Sequence, residues 1–83
     1  MTKKLDVRRN ETPAVVVGDV VEVIMPIRKA AYGEDPAKIP TFTIRGVVHS
    51  IRQQRRSGEI VTSIRVTNSW GQLTQPITFR CRP

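Results

Sequence analysis

Glu59-Ile60-Val61-Thr62-Ser63-Ile64-Arg65-Val66-Thr67 is the stretch on which the fold turns. Ile60, Thr62, Ile64 and Val66 share one face, while Glu59, Ser63, Arg65 and Thr67 fall mostly on the other. A period of two in a run rich in branched side chains is the pattern of a half-buried strand. Just before it, Gln53-Gln54-Arg55-Arg56-Ser57-Gly58 reads as a hairpin tip closed by glycine. Further back, Thr41 to Gln53 reads as the partner strand, with Phe42, Ile44, Val47, Val48 and Ile51 as its apolar set. Gly46 inside that strand predicts a bulge or a sharp bend, as small barrels need at their corners. After the central strand, Asn68 to Gln72 is a turn, and Pro76 opens a last strand running to Arg82. There Ile77, Phe79 and Cys81 point inward, and Thr78, Arg80 and Arg82 outward.

The first half is less regular. Residues 1–13 are polar, end in Thr12-Pro13 and read as an extended or frayed basic arm. Residues 14–83 form the single domain. Gly18-Asp19 is a turn signal; beyond it Val21, Val23, Met25 and Ile27 alternate with Glu22 as a strand. Pro26 cannot donate to a ladder, so that end should lie at an edge or bulge. Lys29 to Pro40, with Gly33, Pro36 and Pro40, reads as a long loop of the kind that binds or moves. Short strands, glycine and proline turns and no helical period predict an all-β fold of four to five strands, a small barrel or sandwich.

Size and composition exclude much. Eighty-three residues allow one domain with a modest core. Cys81 is the only cysteine, so no disulfide forms within the chain. One His and one Cys cannot supply a structural zinc site, and Glu34-Asp35 is too sparse a cluster for a metal. No cofactor is expected. His49 and Cys81 could pair as base and nucleophile, but nothing in the sequence orients them and no oxyanion loop is evident, so no catalysis is expected. Cys81 reads as a small buried apolar residue. No apolar run approaches a membrane span. Met1 to Arg9 is basic but holds Asp6 and no serine, a poor organelle address.

The charge is unevenly spread. Residues 1–35 balance six cations with six acids. Residues 36–83 carry Lys38, Arg45, Arg52, Arg55, Arg56, Arg65, Arg80 and Arg82 against Glu59 alone, and so hold the whole net +7. Arg65, Arg80 and Arg82 share the solvent parity of their strands, Arg45 joins them on one reading, and Arg52, Arg55 and Arg56 form a basic tip. Guanidinium forks suit phosphate through paired charge-assisted hydrogen bonds. These eight cations are the expected nucleic-acid contacts. Trp70 has two readings, a base-stacking side chain or a cap on the end of the barrel. With four aromatics in the whole chain, capping is expected.

The order of signals resembles the bacterial-type large-subunit ribosomal protein L-nineteen family. Gly18-Asp19-Val20-Val21-Glu22-Val23 is similar to that family's Gly-Asp-x-Val-x-Val opening. Ile44-Arg45-Gly46-Val47-Val48 is similar to its Phe-Glu-Gly-Val-Val strand. Gly58 to Val66 resembles its glycine-led Thr-Phe-Thr-Val-Arg strand, and Ile77 to Pro83 its Phe-Pro-Leu-His-Ser-Pro segment. The resemblance spans residues 11–83. It implies an SH3-like barrel that is a structural constituent of the large ribosomal subunit. It also implies that Arg45, Arg52, Arg55, Arg56 and Arg65 contact ribosomal RNA, with neighbouring ribosomal proteins as partners. The family continues past the position of Pro83 with a further strand, so strand donation by another chain is expected at an open barrel edge. The implied setting is a ribosome, mitochondrial on this reading and in the bacterial cytoplasm on the other. Two further readings stand beside it: a free-standing nucleic-acid-binding barrel, as in a regulator or phage protein, and a protein-interaction subunit using the Val-rich first half.

Overall fold

The computed structural model describes residues 2–82. Met1 and Pro83, the outer ends of the expected arm and barrel, lie outside the described residues. The chain is all-β: β1 (Lys3–Asp6), β2 (Val20–Pro26), β3 (Thr41–Arg56), β4 (Glu59–Thr67) and β5 (Ile77–Cys81), with one 3-10 turn at Pro36–Lys38. The strands form one sheet in the order β1-β2-β3-β4-β5, curled into a half-barrel. All pairs are antiparallel except β1 with β2.

Strand β3 builds the curl by changing partners. Thr41 to Val47 pair with β2, and Val47 to Arg56 pair with β4. The register slips between Val48 and Ser50, making His49 the extra residue of a bulge. Strict alternation could not place Val48 and Ile51, three residues apart, on one face. The bulge does so, setting Val48 opposite Val66 and Ile51 opposite Ile64. Val47, counted in the strand's apolar set, faces out and is 41% exposed. Gly46 is not the bulge. A β-carbon there would collide with the carbonyl oxygen of Thr67 and with Val66 Cγ1, so glycine lets β3 press against the end of β4.

The core lies in the concave face: Val21, Val23, Val48, Ile64, Val66, Ile77 and Phe79. Burying each such side chain contributes about 1.5–3 kcal/mol. Thr62 is the buried polar member of the same face, and its hydroxyl accepts from Gln53 Nε2 at 3.4 Å.

The first half departs from an unstructured arm and loop. Lys3–Asp6 docks as a parallel strand on β2, because Leu5 aligns with Val23 and adds to the core. Parallel neighbours need a crossover, and residues 7–19 supply it. This segment lays Val7 and Val15 against the core. It is pinned to the far edge of the sheet by Asn10, whose amide accepts from Arg82 N–H at 2.6 Å and donates to Arg82 C=O at 3.0 Å. One side chain thus imitates a rung of ladder between β1's outgoing chain and the end of β5.

The Lys29–Pro40 segment is also ordered from within. Glu34 takes a two-pronged ion pair from Arg28 (2.6 and 2.7 Å) and accepts from Ala31 N–H. Asp35 caps the 3-10 turn, and Ile39 is buried. Ile27 N–H donates to Pro40. Backbone donors alternate sides, so the ring nitrogen of Pro26 faces the β1 side, beyond Asp6, the last residue of β1. No ladder donor is lost.

Candidate nucleic-acid interface

Cross-strand register decides which arginines share a surface. On the convex face lie Arg45 (opposite Glu22), Arg65 (opposite Ser50), Arg52 (opposite Ser63), Arg56 (opposite Glu59) and Arg80 (opposite Val61). Arg55 stands on the concave side opposite Ile60, whose other neighbour is Cys81. It lies beyond the sealed core and is exposed. Arg82 follows β5 on the parity of Arg80. Lys38 closes the 3-10 turn, and that turn borders a hollow with Asp6, Arg8 and Arg9. Lys38 therefore belongs to the N-terminal side and does not join the hairpin group.

The hairpin itself is tighter than the sequence reading. Gln53 to Arg56 are ladder residues, and the turn is Ser57-Gly58 alone. Both have positive φ, 49° and 76°, as a two-residue type I′ turn requires. Strand β2 ends its pairing at Val47, so from Ser50 onward β3 has β4 on one side and open solvent on the other. Arg52, Arg55 and Arg56 line that free edge, all exposed.

Ion pairing divides the arginines sharply. In the first half Lys3 pairs with Asp19 (2.9 Å), Arg8 with Asp6 (2.8 Å), Arg28 with Glu34 (2.6 Å) and Arg9 with Glu11 (3.8 Å). Arg45 pairs with its cross-strand neighbour Glu22 at 3.1 Å. Glu59 turns away from Arg56 toward β5, meeting Arg80 at 3.2 Å and Arg82 at 3.6 Å. Among the described residues, the arginines with no carboxylate partner are Arg52, Arg55, Arg56 and Arg65, and all four lie on the β3–β4 hairpin. Exposed pairs contribute only about 0–1 kcal/mol each; here they matter because they cancel local charge.

Between two of the free guanidiniums lies a shallow convex hollow lined by Ser50, Ile51, Arg52, Ser63, Arg65 and Pro76. Two forks and two hydroxyls around one depression are donors suited to a phosphate. The arginine surface was legible from strand parity. The hollow was not, because the bulge at His49 sets the register that brings Arg52 and Arg65 together.

Other expectations fare differently. Trp70 does not cap the barrel: it is 85% exposed at the Asn68–Gln72 turn. The end of the core next to this turn is already filled by Val48 and Val66, both buried. His49 and Cys81 are not brought together. His49 is exposed at the bulge and flanks the Arg65 row. Cys81 sits opposite Ile60, about 16 Å along β4 from Arg65. Among the described residues, no three His, Cys, Asp or Glu side chains are placed to hold a metal ion. No helix among the described residues is long and apolar enough to cross a membrane. The sequence reading also missed an exposed apolar row at the other end of the convex face. Val20 lies opposite Val47, Val47 opposite Thr67, and Thr67 bridges to Leu73. Val20 and Leu73 are 47% and 44% exposed.

No protein-family model, curated protein or solved structure matches the chain.

Proposed function

We propose that this protein binds RNA through the β3–β4 hairpin and acts as a structural component of a ribonucleoprotein, performing no chemistry. The observation that carries this reading is that the four arginines without a carboxylate partner among the described residues all lie on one hairpin, two of them, Arg52 and Arg65, beside a shallow hollow. A cationic ribbon with a tight tip fits an RNA groove or junction, where phosphates fix position and the guanidinium planes can also stack. The resemblance of Gly18–Val23, Ile44–Val48 and Gly58–Val66 to the L-nineteen family makes the large ribosomal subunit, mitochondrial or bacterial, the proposed particle and ribosomal RNA the proposed ligand.

A charged free edge also guards against edge-to-edge pairing, so affinity must be measured directly. Fluorescence anisotropy of a labelled ribosomal RNA fragment, titrated across salt, tests the reading. Four phosphate contacts predict a log–log slope of roughly −2.8 to −3.6. A salt-independent isotherm would sink it. Sedimentation of cell extract on a sucrose gradient separates the particle from a free-standing module: the first places the chain with large subunits, the second at the top.

The apolar row Val20, Val47 and Leu73 favours a second role beside the first, a protein neighbour on the opposite end of the convex face. The outward backbone groups of β5 also support the proposed strand donation. Asn10 engages the outward N–H and C=O of Arg82, and alternation leaves those of Arg80 and Thr78 along β5 for an incoming strand. Crosslinks from residues 16–20 to a protein, with none to RNA, are the expected pattern for this surface.

A further inference from the structure

The hairpin reading leaves Trp70 without a role, and Trp70 is held in an unusual way. It is the only tryptophan in the chain and is almost fully in solvent. Its turn is nonetheless stiff. The Asn68 side-chain carbonyl accepts from the N–H groups of Trp70 (2.9 Å) and Gln72 (3.0 Å). Asn68 N–H donates to Gln72 C=O at 2.9 Å, and Gly71 N–H donates to Asn68 C=O at 3.0 Å. Gly71 completes the turn at φ 78°. Below it, Thr74 clamps the loop to β4 through two bonds to Val66: Thr74 N–H donates to Val66 C=O at 2.9 Å, and the Thr74 hydroxyl accepts from Val66 N–H at 3.1 Å. A large flat apolar group is therefore displayed on a fixed base, which lowers the entropy cost of using it.

Along the chain its surroundings are cationic: from Ile60 to Phe79 the one charged residue is Arg65. Arg65, which lacks a carboxylate partner, is five residues away, so no more than about 18 Å of chain separates it from Trp70. The partner that fits carries negative charge beside a flat apolar face. Single-stranded nucleic acid offers both in every nucleotide, whereas a duplex hides its base faces.

We propose that Trp70 is a stacking platform for an unpaired nucleobase of the RNA whose phosphates Arg65 and the hairpin hold; the proposal rests on the RNA reading above. The test is intrinsic fluorescence, which reports Trp70 alone, with three probes: a short single-stranded oligoadenylate, an RNA duplex and inorganic polyphosphate. Oligoadenylate should quench the emission, and polyphosphate should bind without quenching. Trp70→Ala should weaken oligoadenylate by about tenfold and leave polyphosphate affinity and the melting temperature unchanged. Trp70→Phe should restore most of the loss. Oligoadenylate binding with no quenching and no effect of Trp70→Ala overturns the stacking role and leaves the hairpin reading intact. Equal quenching by polyphosphate also overturns it, since charge alone then moves the signal. If none of the three probes binds, the hairpin reading falls and the stacking role with it.

Discussion

The N-terminal half and the tip-side part of the β3–β4 hairpin treat their arginines in opposite ways. In the first half, Lys3, Arg8, Arg9 and Arg28 each meet a carboxylate, and those pairs build structure. Asp19 ties β1's start to the turn before β2, Asp6 holds the corner after β1, and Glu34 organises the loop. On the hairpin, Arg52, Arg55, Arg56 and Arg65 meet none. The same side chain is a brace in one region and an open binding group in the other, and the position of the carboxylates makes the difference.

The largest expected effect tests that contrast on the hairpin. Arg52→Glu with Arg65→Glu should weaken RNA binding by about a hundredfold, since two charge-assisted contacts are lost and repulsion added. The edge stays guarded by charge, so folding should hold, as circular dichroism would register. Reversing Arg8 and Arg28 instead should cost stability and spare affinity. Equal losses of affinity from both pairs would dissolve the distinction.

Next comes the joint between the regions. Gly46→Ala should destabilise by about 3 kcal/mol, seen as a lower urea midpoint, because a backbone carbonyl cannot move aside as a side-chain tip can. A neutral result would mean that β3 does not press on Thr67 as described.

A smaller effect should come from Glu59→Gln. Glu59 holds Arg80 and Arg82, and neutralising it adds two guanidiniums to the free set. RNA affinity should rise by about threefold, with a steeper salt slope. An unchanged slope would restrict the interface to the four hairpin arginines.

The smallest effect is acid sensitivity, expected only in the first half. The Arg8 guanidinium holds the Asp6 carboxyl below its usual range. The Val16 N–H, then Lys3, does the same for Asp19, and Arg28 for Glu34. Depressed carboxylates contribute stability above their unfolded values, about 4, and lose it as pH falls through the folded ones. Melting temperature should be flat from about pH 5 to 8 and fall below about pH 4. Amide exchange should show β1 and the 27–40 loop loosening before the hairpin.

Much of the architecture was legible because short-range chemistry dictates it. Period two in Glu59–Thr67 and Ile77–Cys81 fixed those strands and the outward parity of Arg65 and Arg80. Gly18 and Gly58 marked turns through their backbone freedom, and Pro26 marked a place without a ladder donor. Other features were not legible because they depend on partners far along the chain. Leu5 looks like an isolated apolar residue until Val23 lies beside it. Asn10 looks like arm until Arg82 stands opposite. Trp70 was assigned to the core by scarcity of aromatics, but enclosure depends on neighbours in space and not on supply.

By itself, the sequence determined an all-β chain, the imbalance of charge between its halves and the solvent parity of its arginines, since alternation and composition are local properties. Only the tertiary structure decided which arginines remain free. That depends on one extra residue at His49, which sets the register of β3 on β4, and on Glu59 turning toward β5, and both follow from long-range contact between strands.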